Sequence, residues 1–323
     1  MRRRQFLRLG ACSTLAAALP MPHIARAQAW PDKPVKVIVP FAAGGGTDIV
    51  ARPWADALSK AFGQQFVVEN RGGASGLIGT EAAAKSPGDG YTFLVTGATT
   101  TIAIPLMRKV NYDHNSLMPV ARVGDILCGH VIHTAVGPKT LPELIDYAKK
   151  NPGKLAFGSS GNGTTPHLRF EAFKWKTGLD ILHVPYRGGA DSLTDLLANN
   201  VQLMNEPVTL PHVKAGKLHM LAVNHGQRMA DFPDVPTLTE AGYPGIDVPL
   251  WFTLWAPAGT SKELIQKLNT KMLEISKTDD MKAKLALAGA VPVLETPDQI
   301  EVFREKDRAS LAELIKAANI KLE

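Results

Sequence analysis

The sequence predicts an α/β protein folded as two lobes. Three observations carry this expectation. Short apolar, β-rich runs alternate with helix-period patterns, the order expected of mostly parallel sheets covered by helices. Helix starts are marked by capping signals at Thr140 with Glu143, Thr260 with Glu263 and Thr296 with Gln299. The chain has 323 residues, and a length beyond about 250–300 residues exceeds what one hydrophobic core ordinarily supports.

Residues 1–27 stand apart from that pattern. Arg2, Arg3, Arg4 and Arg8 flank a short apolar stretch from Leu9 to Leu19, and Ala25-Arg26-Ala27 reads as a small-x-small cleavage site, so an export signal is expected. Arg3-Arg4-Gln5-Phe6-Leu7-Arg8 also resembles the twin-arginine motif, which leaves that route and the general secretory route both open. Leu9-Gly10-Ala11-Cys12 looks like a lipoprotein site but precedes most of the apolar stretch, which disfavours that reading. The stretch is shorter than the roughly 20 apolar residues of a membrane-spanning helix, and no later segment reaches that length.

The first expected strand is Val35–Val39, ended by Pro40 and followed by Gly44-Gly45-Gly46. A helix pattern comes next, with Asp48 at its start and Pro53 inside it, where a proline is expected to kink or shorten it. Strands are then expected at Phe66–Glu69 and Thr92–Val95. Val120–His133, a long β-rich run before the Gly137-Pro138 turn, reads as a crossing from one lobe to the other. Lys154–Phe157, Ile181–Val184 and Leu218–Val223 supply further strands, with a helix stripe of Leu168, Ala172 and Trp175 after the first of them. The return crossing is placed near Asp247–Pro257, followed by a stripe of Leu264, Leu268 and Met272. The expected division is therefore 28–125 with 248–323 as lobe 1 and 126–247 as lobe 2, with a cleft between them, a usual place for a ligand.

Five of the 36 basic residues lie within the first 27 positions, so the remainder carries 36 less 5, or 31, bases against 30 acids. That balance gives no support for nucleic-acid binding, which needs a clustered basic surface. Cys12 falls in the leader, and Cys128 alone cannot form an internal disulfide. Cys128 and His130 would share one side of a strand with His133 on the other, short of the roughly four ligands a closed zinc site needs, so no metal is expected. No cofactor is expected either.

Two glycine-rich loops each sit between a strand and a helix, where bare backbone N–H groups and a helix N-terminus suit an anion. The first, Gly44-Gly45-Gly46-Thr47-Asp48, is neither G-x-G-x-x-G nor a P-loop. Asp48 there either caps the helix or touches a ligand directly. The second runs from Gly158-Ser159-Ser160-Gly161-Asn162-Gly163 through Thr164-Thr165-Pro166-His167. It lacks the G-x-S-x-G spacing of a nucleophile elbow, because Asn162 stands two after Ser160. His167 reads as a residue of the helix start. In Tyr186-Arg187-Gly188-Gly189, Arg187 either pairs with a carboxylate or lies on the surface.

These loops in this order, with Trp30-Pro31-Asp32-Lys33-Pro34, Val68-Glu69-Asn70-Arg71, Asp89-Gly90-Tyr91-Thr92, His183-Val184-Pro185-Tyr186-Arg187-Gly188, Gly216-Lys217-Leu218, Val235-Pro236-Thr237 and Ala256-Pro257-Ala258-Gly259-Thr260, carry a resemblance from Trp30 to Glu323. The chain resembles the Bug-type periplasmic solute receptors of tripartite tricarboxylate transporters. The resemblance implies a type II periplasmic-binding-protein fold, with mixed sheets flanked by helices, closing on a small organic acid as a monomer. It implies delivery to the transporter's membrane subunits, or alternatively presentation to a membrane sensor; a secreted hydrolase is much less favoured, and no catalytic residues are expected.

By the same resemblance, Phe41, Ala42, Ala43, Gly44, Gly45 and Asp48 face Ser159, Ser160, Gly161, Gly163, Thr164, Thr165 and His167 across the ligand, with Thr96, Gly97 and Thr99 lining the pocket and Tyr186 and Arg187 beside it. Relatives commonly carry Phe-Asp-Asn and further residues before Leu-Pro-His. Here Met204-Asn205-Glu206-Pro207-Val208-Thr209 precedes Leu210-Pro211-His212, a segment two residues shorter. Glu206 is expected to stand in for the missing acid and to accept a hydrogen bond from an amino or hydroxyl group of the ligand.

Overall fold

The computed structural model describes residues 30–322; the expected export signal and Cys12 lie outside them. Eleven strands form among these residues: β1 Val35–Val39, β2 Phe66–Asn70, β3 Thr92–Thr96, β4 Met118–Ile126, β5 Gly129–His133, β6 Ala156–Ser159, β7 Leu182–Pro185, β8 Leu203–Met204, β9 Leu218–Val223, β10 Leu250–Ala256 and β11 Ala290–Val291. They make two sheets. The first has the order β11-β4-β10-β3-β1-β2 and the second β7-β6-β8-β5-β9. Each is mixed: β1 runs parallel to β2 and β3, β10 antiparallel to β3 and β4, β6 parallel to β7 and β8, and β5 antiparallel to β8 and β9.

The chain leaves the first sheet after Ile126 and enters the second at Gly129, so the β-rich run around Val120–His133 is two strands separated by Leu127 and Cys128. It returns to the first sheet at Leu250 on β10, all seven residues of which are buried. Strand β6 begins two residues later than Lys154–Phe157. Gly158 and Ser159 complete its pairing with Val184 and Pro185, and a Cβ on Gly158 would stand 2.2 Å from Ser192 Oγ. The two-residue strands β8 and β11 are too short to show a period in sequence.

Helix Gly46–Phe62 covers the first sheet with Val50, Ala51, Trp54, Ala55 and Leu58 buried, and Trp54 Nε1 donates to the Val123 carbonyl at 2.8 Å. The helix is not shortened at Pro53. Proline removes one backbone bond, and half-buried Pro53 leaves the buried stripe of Val50, Trp54 and Leu58 continuous. Thr296 and Gln299 make the expected capping box in full. At Thr140 only the forward bond to Glu143 N forms, since Glu143 Oε2 accepts from Lys139 N. Ser261 rather than Thr260 caps helix Lys262–Ser276. The Thr260 hydroxyl donates instead to the Pro257 carbonyl. Leu168, Ala172, Leu268 and Met272 are buried, whereas Trp175 is 45% exposed and falls outside the core. No helix among the described residues is long and apolar enough to cross a membrane.

Candidate ligand-binding site

The first glycine loop is built around a carboxylate that it keeps for itself. Gly44, at φ 75°, donates its N–H to Asp48 Oδ2 at 2.9 Å, in a conformation that glycine enters without steric cost. Arg52 Nε donates to the same oxygen at 2.8 Å, and Asn70 Nδ2 donates to Asp48 Oδ1 at 2.9 Å. Burial pushes the Asp48 pKa up, but these donors outweigh it and hold the carboxyl below its ordinary value. Asp48 therefore braces the loop that precedes its helix. Gly45 donates back to the Ala42 carbonyl at 3.3 Å. Gly46 and Thr47, in the first helical turn, border the cavity below; N–H groups at this position lack intrahelical acceptors.

The second loop is also bonded largely to itself. Ser159 Oγ lies 2.7 Å from His183 Nε2 and accepts from Gly161 N at 3.1 Å, while Thr164 Oγ1 donates to the Gly161 carbonyl at 2.7 Å. Gly163 N donates to His167 Nδ1 at 3.1 Å, and the His167 ring stacks on His183 at 4.1 Å. Burial, with smaller contributions from His167 and Lys174, pushes His183 down to about 3, so it is neutral at pH 7. Thr165 N reaches across to Thr99 Oγ1 at 3.2 Å and ties this loop to the lobe of the first sheet.

Between the loops lies a cavity of about 30 Å³. It is lined by Phe41, Gly45, Gly46, Thr47, Thr99, Leu250 and Phe252 from one lobe and by Ser160, Pro166, Gly189, Glu206 and Pro207 from the other. Three helices of 17, 13 and 9 residues begin at it: Gly46–Phe62, Thr165–Thr177 and Gly189–Leu197. Their N-terminal partial charges, each equivalent to about half a positive charge, therefore add at one point. The volume holds about two waters, so a larger ligand needs the lobes to part.

Glu206 is the one charged residue in that lining, and it is only 4% exposed. Ser160 lies beside it and favours the ionised carboxyl, and Oε2 presses on Gly189, where a Cβ would stand 2.0 Å away. Oε1 is buried without a hydrogen-bond partner among the described residues. Burial raises the Glu206 pKa to about 7, although Ser160 and the Arg169 charge pull it down.

Of the residues expected at the site, Phe41, Gly45, Thr99, Ser160 and Glu206 meet at this cavity. Ala42 and Ala43 are outside its lining, and Gly44 borders an outer groove with Leu193 and Leu287. Thr96 is buried with its hydroxyl 2.9 Å from that of Thr100, and Gly97 packs where a Cβ would lie 1.9 Å from the Trp251 carbonyl oxygen. Asp48, Ser159, Gly161, Gly163, Thr164, Thr165 and His167 fall outside that lining and hold the two loops through the bonds above. The Tyr186 hydroxyl donates to Asp195 at 2.6 Å, and Arg187 is exposed and outside the cavity lining. Sequence reasoning named Gly46, Thr47 and Pro166 only as parts of the two loops and did not single out Gly189, Pro207, Leu250 and Phe252 as lining residues. A signal existed for Gly189, since Gly188-Gly189 repeats the strand, glycine, helix pattern of the other two loops.

Behind Glu206 a buried polar hub joins the lobes. Arg169 is 0% exposed; its Nε donates to the Val248 carbonyl at 2.8 Å and one terminal nitrogen to Asn205 Oδ1 at 2.7 Å and Cys128 Sγ at 2.9 Å. Asn205 donates to Asn224, whose Nδ2 is 3.4 Å from His130 Nε2. Burial, then Arg169, pushes His130 down to about 3, and burial raises the Cys128 thiol. These two residues, which the sequence left without a role, belong to this hub.

Comparison with known proteins is consistent with this geometry. Residues 50–320 match the tripartite tricarboxylate transporter family receptor. The chain is 37% identical over 302 residues to protein BugT of Bordetella pertussis, covering 92% of this chain and 93% of that one. Among solved structures it is similar to a Rhodopseudomonas palustris protein with adipate, at 35% identity and a TM-score of 0.87, covering 90% of this chain and 99% of the other. It is also similar to the periplasmic binding protein BugD, at 32% identity and a TM-score of 0.86, covering 91% and 100%.

Proposed function

This chain belongs to the tripartite tricarboxylate transporter receptor family, whose members are periplasmic solute-binding proteins, and from that premise we propose that it captures a small organic acid between its lobes and delivers it to the membrane subunits of such a transporter. The observation that carries this reading is the convergence of three helix N-termini on one interlobe cavity. A carboxylate placed there meets the N–H groups of Gly46 and Thr47 and the Thr47 and Thr99 side chains, while Phe41, Leu250 and Phe252 supply apolar walls. The adipate in the Rhodopseudomonas palustris relative is an acid of this class.

The proposed lobes are 28–125 with 248–323, and 126–247, in a monomer exported to the periplasm by the leader at 1–27. The lobes part to admit the ligand and close on it, because only the closed state offers contacts from both sides. A chain of this kind needs no nucleophile and no acid–base pair, and the serine nearest a histidine, Ser159, is buried behind the loop with its hydroxyl already engaged. A thermal-shift screen of small carboxylates tests the proposal. A true ligand at about 100 times its Kd adds roughly 2.7 kcal/mol of stability; a screen spanning mono-, di- and tricarboxylates and amino acids with no stabilisation would overturn it.

A further inference from the structure

Resting on the receptor reading above, we infer that Glu206 selects, among organic acids, those that also carry a protonated amine, so that the ligand bridges the lobes as a zwitterion. Helix starts reach the cavity from both lobes, Gly46–Phe62 from one and Thr165–Thr177 and Gly189–Leu197 from the other, but only the second lobe sets a carboxyl group among them. The lobe of the first sheet offers the start of helix Gly46–Phe62, which favours negative charge. The facing lobe offers Glu206, whose Oε1 is buried at the cavity with no partner of its own. Ser160 faces that carboxyl, and Gly189 leaves no room behind Oε2. The remaining lone pairs of Oε1 need a donor, and none of the other lining residues provides a cationic one.

An ammonium group meets that need with charge as well as hydrogen bonds. A second ligand carboxylate in the same place would instead set two like charges together and bind only with uptake of a proton. The groups acting on Glu206 from the packed elements are Ser160, the Arg169 guanidinium in the hub and the Cys128 thiol. Of these only Arg169 is charged at pH 7, and it favours the ionised carboxylate. Because burial places the Glu206 titration near neutrality, capture of an amine should strengthen as pH rises and the carboxylate forms.

Calorimetry on the purified protein at pH 8 decides the matter with three matched pairs: adipate and 2-aminoadipate, succinate and aspartate, glutarate and glutamate. The expected result is that the amino member of at least one pair binds tenfold or more tighter, that this preference shrinks at pH 6, and that Glu206→Gln abolishes it. If the plain acid of every binding pair matches or exceeds its amino partner, the inference fails while the receptor reading stands. A preference that persists unchanged in Glu206→Gln also overturns it. If no member of any pair binds at millimolar concentration, the inference falls, and the receptor reading is decided by the wider carboxylate screen.

Discussion

Glu206 is buried in a folded state that its own ionisation opposes. Its pKa of about 7 lies above the ordinary 4.5 because burial disfavours the charged form. Between those values the folded protein binds more protons than the unfolded chain, so its contribution to stability is lost as pH rises from about 4.5 through about 7. Glu206→Gln removes that dependence. Chemical denaturation without ligand should show the variant gaining on wild type by a few kcal/mol between pH 5 and pH 8; parallel curves would contradict the assignment. Asp48 behaves in the opposite sense, because its donors hold its pKa down. Asp48→Ala strands the Gly44 N–H, Asn70 and Arg52 at once and should cost about 2–4 kcal/mol by urea melts. Gly189→Ala needs space that Glu206 Oε2 occupies, so it should weaken ligand binding tenfold or more by titration while the far-ultraviolet circular dichroism is retained.

At the level of elements, helix Thr165–Thr177 links capture to the crossings. Its first turn borders the cavity through Pro166 and joins Thr99 through Thr165, and one turn later Arg169 reaches Cys128 and Val248, the residues beside the two passages between sheets. Arg169→Met deletes donors to Asn205, Cys128 and Val248, and breaking a buried charged hub of this kind should cost about 3–5 kcal/mol by thermal denaturation. Most elements were legible in the sequence because apolar runs and caps are local signals: β1 and β9 fall at their expected residues, and Thr296 caps as expected. The hub was not legible. Arg169 lies in a helix and Asn205 and Asn224 just past the ends of β8 and β9, and only folding reveals that the helical arginine points inward. The site was legible in part for the same reason. Its glycine loops announce themselves, whereas Leu250 and Phe252 read as ordinary strand residues until β10 places them beside Thr99.

Taken as a whole, the molecule is two sheets joined by a short passage at Leu127 and Cys128 and a long one over residues 224–249, and they meet through a shared apolar cluster and several loop contacts. Thr165 meets Thr99, the Gly161 turn packs on Ser75, and Gly163 sits under Leu322 and Ile104. On the proposed closing cleft, a ligand that contacts both sides favours the closed form. X-ray scattering should record a smaller radius of gyration when a tight ligand is added; an unchanged radius would argue against a closing cleft.

The burial of Cys128 has a practical corollary. A protein produced without its first 27 residues holds a single native thiol, enclosed at 0% exposure and discouraged from ionising. A cysteine introduced for Leu287, which is 80% exposed on the seam beside Leu193 and Pro207, would therefore take up a maleimide dye selectively. Such a conjugate is a ready starting point for a reagentless fluorescent sensor, with no need to engineer the native sulfhydryl away.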